Sequence, residues 1–62
     1  MNFPLKMKIL EKYGTQADFA VLVGLSESGL SRIIRGRKKP EQELKETISK
    51  KLGVVASEIF PS

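Results

Sequence analysis

The sequence predicts an all-α fold, a compact bundle of short helices. Three observations predict it. Apolar residues recur at helical spacing in four successive segments, Leu5, Ile9 and Tyr13, then Phe19, Ala20 and Val23, then Leu30, Ile33 and Ile34, then Leu44, Ile48 and Leu52. A glycine follows each segment (Gly14, Gly24, Gly36 and Gly53), where helices commonly end in a left-handed residue. Thr15 and Ser26, good N-caps, stand ahead of two of the segments. The chain has 62 residues, which makes one domain at most, expected to span residues 1–62. A chain this short buries only about 60% of its unfolded surface, so it must be compact or find a partner.

The first helix is expected over residues 2–13. Pro4 suits its first turn, where a missing N–H costs nothing. Leu5, Ile9 and Tyr13 form the buried stripe, and Met7 and Leu10 are expected to widen it. Lys6, Lys8, Glu11 and Lys12 take the outer face. The second helix is expected over residues 16–23, capped by Thr15, with Asp18 three residues on in the manner of a capping box. Val21 and Leu22 leave this helix apolar almost all round, and such a helix is normally buried. The favoured reading is that the first helix covers them. The other is that they offer a surface to a partner. Gly24 breaks the second helix, Leu25 plugs the turn, and Ser26 caps a third helix over residues 27–35 that Gly36 ends. Two helices joined by a short turn containing glycine cross steeply. Ala20 is the small residue expected where they come close.

The fourth helix is expected to start at Pro40, with Glu41 and Glu43 in its first turn, where acids suit the helix dipole. Lys50 and Lys51 suit its C-terminal end, and Glu46 and Lys50 make a favourable i, i+4 pair.

Composition removes several classes of function. The chain has no cysteine and no histidine, so the usual metal ligands and acid–base groups are missing, and neither a metal nor a cofactor is expected. Carboxylates do not cluster away from exposed helical faces, and no glycine-rich phosphate loop of the usual pattern occurs, so an enzyme is not expected. No apolar run approaches the roughly 20 residues of a membrane span, and the N-terminus lacks the apolar core of a signal peptide. A cytoplasmic protein is expected, with no membrane partner. With no room for a sensor domain, no small-molecule ligand is expected either.

Charge points the other way, toward a polyanion. The net charge is +4, and Arg32, Arg35, Arg37, Lys38 and Lys39 lie together with no acid among them. Such a run is often only a solvated loop. Here it follows a helix whose face opposite the core carries Ser28, Ser31, Arg32 and Arg35 at i, i+3, i+4 and i+7. A ridge of donors and cations on a helix that fits the major groove is what base-edge reading requires, and a basic patch is the electrostatic footprint of a nucleic-acid binder.

In register, Thr15-Gln16, Phe19-Ala20, Gly24-Leu25-Ser26, Leu30-Ser31, Ile33, Gly36 and Pro40 resemble the helix-turn-helix domain of the phage repressor/Cro family, also called the XRE family. Ile48 and Leu52-Gly53-Val54 match its fourth helix, and residues 54–60 look like its short fifth helix, capped by Ser57 or the residues before it and stopped by Pro61, which implies a compact five-helix bundle; the resemblance covers almost the whole chain. The helix-turn-helix falls at about residues 16–35. One departure is Gly14, where many members place an apolar residue that staples the next helix.

The resemblance implies roles. Glu27, Ser28, Ser31 and Arg32 stand at the base-contacting positions. Arg32 can pair with guanine O6 and N7, and Glu27 can accept from cytosine N4, although a first-turn acid also suits the dipole equally well. Gln16 stands at a phosphate-contacting position, and Arg35, Arg37, Lys38 and Lys39 form a phosphate clamp. Gly29 disfavours the helix by about 1 kcal/mol against alanine; it either permits a close approach or is a tolerated fault. Family members often pair through the fifth helix, which makes Val55, Ile59 and Phe60 candidates for a dimer interface. Alternatively, Phe60 folds back on helices one and four. The implied function is sequence-specific binding of double-stranded DNA by a prokaryotic or phage-encoded regulator at the nucleoid, more often a repressor. A homodimer would read a palindromic operator with half-sites about 34 Å apart. The alternative is an antitoxin-like or other protein-interaction module of the same fold that does not read sequence.

Overall fold

Local signals set the helix starts in this computed structural model, which describes residues 1–60. Five helices occur among the described residues, α1 (Phe3–Tyr13), α2 (Gln16–Leu22), α3 (Glu27–Ile34), α4 (Gln42–Leu52) and α5 (Ala56–Ile59), and no strand. The side chains of Asn2, Thr15 and Ser26 each accept a hydrogen bond from an amide three residues on, which caps α1, α2 and α3. The all-α, five-helix expectation holds.

α1 is the central strut. It packs against α2, α3, α4 and α5, while α2 packs on α3 and α5 on α4. The core draws on every helix, with Leu5 and Ile9 from α1, Phe19 and Ala20 from α2, and Leu30, Ile33 and Ile34 from α3. Ile48 and Leu52 come from α4 and Ile59 from α5. Tyr13, at the end of α1, donates its hydroxyl hydrogen bond to the Lys51 carbonyl at 2.7 Å, and its ring lies 5.1 Å from that of Phe19. One residue therefore joins three helices.

Several expectations are corrected. Met7 and Leu10 do not widen the buried stripe of α1; they are 60% and 39% exposed. Nor does α1 cover α2, whose Val21 and Leu22 are 78% and 48% exposed. Among the described helices only α1 and α3 pack on α2, and Phe19, Ala20 and Val23 occupy that side. α4 begins at Gln42 rather than Pro40, and Glu41 stands at its N-cap with extended backbone and no side-chain capping bond. Proline's fixed φ suits an extended connector as well as a first helical turn, and here the chain uses it in the connector. α5 is shorter than residues 54–60, and Val55, one of the residues before Ser57, holds its N-cap position. The stop assigned to Pro61 lies outside the described residues.

Asn2 ties three parts of the fold together. Its Oδ1 accepts from the Leu5 amide, its Nδ2 donates to the Ile59 carbonyl, and its backbone amide donates to the Ile34 carbonyl at 2.6 Å. The start of α1 is thus bonded to the last residues of α3 and α5. Losing an N-cap costs about 0.5–2 kcal/mol, and the Ile59 carbonyl would lose its partner as well. Asn2→Ala is therefore expected to lower the urea midpoint by about 1–2 kcal/mol worth of stability at unchanged m. Asn2→Asp keeps the cap acceptor but sets a carboxylate oxygen against the Ile59 carbonyl where a donor stood, so it should not restore the parent midpoint. If both variants unfold at the parent midpoint, the clasp contributes nothing net.

Candidate nucleic-acid interface

The site is built on α3 and the loop behind it. Ser26, in extended backbone, caps α3 by accepting from the Gly29 amide at 3.0 Å. A Cβ at residue 29 would sit 3.2 Å from the Ser26 Oγ, so the close approach that glycine permits is to the helix's own cap. Leu30, Ile33 and Ile34 bury one side of α3 and so fix its rotation. At about 100° per residue, Ser28, Ser31, Arg32 and Arg35 then face the other way. Glu27 lies beside this ridge, one turn before Ser31. Glu27, Ser28 and Arg32 are exposed and Ser31 is half-buried. Among the described residues, none of the four side chains is engaged in a hydrogen bond or ion pair. Their polar groups remain available to a ligand.

Two glycines shape the approach to α3 and the exit from it. Gly24, at φ +75°, ends α2, and the Leu25 amide turns back to the Ala20 carbonyl at 2.8 Å. This leaves residues 23–26 as the tight turn, with Leu25 packed against the core. Gly36, at φ +80°, does the same for α3, where its own amide bonds to the Ile33 carbonyl and the Arg37 amide to the Arg32 carbonyl at 2.9 Å. That pair of bonds is a Schellman motif. The Lys38 amide reaches the same Arg32 carbonyl at 3.3 Å. The basic segment is therefore folded onto the end of α3 instead of trailing into solvent. Arg35, Arg37, Lys38 and Lys39 are all exposed. The structure brings these cations into continuity with the Ser28–Arg35 ridge. Gln16, half-buried, stands apart in sequence at the first position of α2, the helix that carries α3.

The three residues expected at a contact between copies separate. Ile59 is 1% exposed and sits in the protomer's own core, so it cannot be the apolar surface of such a contact. Phe60 folds back, half-buried against the core, with the Lys45 ammonium 5.8 Å from its ring centre. Only Val55 is well exposed, at 62%. The physical reason is that the short α5 must close the bottom of the core and has one residue pointing inward to do it.

Two features escaped the sequence reading. Asn2, followed by Pro4, carries an N-cap signature that could have been found; its bonds to Ile34 and Ile59 could not, since they join residues far apart in the chain. Lys45 over Phe60 leaves no local signal. Among the described residues, no group of acids is placed to hold a metal, and no helix is long and apolar enough to cross a membrane.

The comparisons agree with this geometry. The family model described as helix-turn-helix matches residues 5–59, nearly the whole chain and all of α2, the turn and α3. No curated protein and no solved structure matches the chain. A tight glycine turn between two packed helices and the extent of the match lead to one conclusion: the chain belongs to the XRE-type, Cro/repressor-like helix-turn-helix family of DNA-binding regulators.

Proposed function

We propose that the 62 residues act as one unit that binds double-stranded DNA sequence-specifically and represses transcription by occluding the site. The observation that carries the reading is the ridge of Ser28, Ser31, Arg32 and Arg35. It lies opposite the buried Leu30, Ile33 and Ile34 and runs without an acid into the folded-back Arg37–Lys39 loop. α3 enters the major groove. Arg32, Ser28, Ser31 and Glu27 meet base edges, and Gln16, Arg35, Arg37, Lys38 and Lys39 hold phosphates, which set the register without reading sequence. One such module touches few base pairs, so two copies bind a palindrome, meeting through Val55 and the exposed part of Phe60. The setting is the cytoplasm of a prokaryote, at the nucleoid.

Selection from a random duplex library at about 150 mM salt tests this directly. A palindromic winner bound well above the starting pool is expected. Equal, salt-sensitive binding to every sequence would remove the specificity claim. Exposed Val21 and Leu22 would then favour the second reading, a protein-interaction module using that side of α2. Lys38→Ala is expected to weaken binding evenly across sequences and to lower the slope of log affinity against log salt by about one, because one fewer counterion is released. Titrations at several salt concentrations measure it. An unchanged slope would take Lys38 out of the clamp.

A further inference from the structure

Behind the clamp lies a half-open cavity of about 210 Å³ between the loop after α3 and the end of α5. Ile33, Pro40 and Phe60 give it an apolar floor, and Lys38, Lys39 and Lys45 line it as well. No acid is among its described lining residues. Lys45 is the informative group. Glu41, at the N-cap of α4, stands four residues earlier, the ordinary i, i+4 partner for a lysine. Lys45 instead lies over the Phe60 ring, and among the described residues the only ion pair is Lys8 with Glu11. A concave apolar surface with a few converging charges is the general form of a small-molecule site. This one is smaller than the roughly 300–1,000 Å³ of drug-sized pockets, which limits the occupant to about one ring with a headgroup.

The geometry points to a binding site for a small amphipathic anion, a carboxylate or phosphate on a flat apolar body, with the body against Phe60 and Pro40 and the charge among Lys38, Lys39 and Lys45. Chain length argued against any small ligand, but the cavity needs no added domain. Lys38 and Lys39 serve both this cavity and the DNA clamp of the proposed function. An occupant that neutralises them therefore lowers affinity for duplex DNA, a coupling that rests on that reading.

The test is an NMR titration of the whole ¹⁵N-labelled chain with phenyl phosphate and benzoate, against inorganic phosphate and acetate at matched ionic strength. Saturable shifts at Asn2, Ile33, Lys39, Lys45 and Phe60 are expected with the aromatic acids. Affinity should be about tenfold above that for the ring-less anions, the effect of burying part of one ring. Comparing phenyl phosphate with benzoate tells which headgroup the lysines prefer. Lys45→Gln should weaken binding about tenfold while the rest of the spectrum stays in place. Equal affinity for inorganic phosphate, no saturation, or an indifferent Lys45→Gln would overturn the site. These outcomes do not depend on DNA, so failure of the DNA reading leaves them decisive. If duplex DNA is bound, an undiminished affinity in the presence of saturating phenyl phosphate would overturn the coupling.

Discussion

Phe19→Ala is expected to leave most of the chain unfolded at 37 °C. Phe19 is fully buried and is the largest such side chain. Its ring meets Tyr13, which in turn holds the end of α4 through the Lys51 carbonyl. Truncating a buried phenylalanine to alanine costs about 3–5 kcal/mol. At about 0.05–0.15 kcal/mol per residue, a domain of 62 residues has only about 3–9 kcal/mol in total. The loss is therefore of the same order as the whole stability. Phe19→Leu keeps most of the volume and should cost about 1 kcal/mol. Thermal melts followed by circular dichroism separate the two variants. An alanine variant that melts within a few degrees of the parent would mean that the core closes over the gap, against the picture of one small core shared by five helices.

Arg32→Ala is expected to do the reverse, leaving the fold intact and damaging recognition. The side chain is exposed and lies opposite the core-facing residues of α3, so its removal opens no cavity. A bidentate arginine–guanine pair is worth about 1–3 kcal/mol of discrimination. Binding to the selected duplex should weaken by that amount, while binding to a duplex altered at the contacted base pair should change little. Arg32→Lys should not restore the discrimination, because an ammonium lacks the planar fork. Anisotropy titrations on the two duplexes read the difference. Equal losses on both would make Arg32 a phosphate contact, and its neighbours Ser28 and Ser31 would then carry the burden of specificity.

The helix-turn-helix is legible along the chain because every device in it is local. Ser26 caps the residue three positions on, Gly24 and Gly36 each turn the chain within two residues, and Leu30, Ile33 and Ile34 set the rotation of their own helix. A capped amphipathic helix predicts its own polar face. The same logic places Arg37 to Lys39 after α3, and the Schellman bonds that fold them back onto it are seen only in the structure. Where structure and periodicity differ, the deciding partner is distant in sequence. Met7, Leu10, Val21 and Leu22 are apolar and sit in helices, yet none is buried among the described residues, and periodicity alone does not reveal how many neighbours a helix has. Ile59 and Val55 read alike in sequence; the need to close the core at α5 buried one and left the other outside.

The amino-acid sequence by itself determined the number and order of the helices, the turn between α2 and α3, and the basic ridge that faces away from the core, because caps, glycines and apolar spacing act over a few residues. Only the tertiary structure decided which apolar side chains are covered, that Asn2 bonds to the ends of α3 and α5, and that Lys45 joins Lys38 and Lys39 around one cavity. Those outcomes depend on how whole helices pack, and packing joins residues that nothing in the local chain connects.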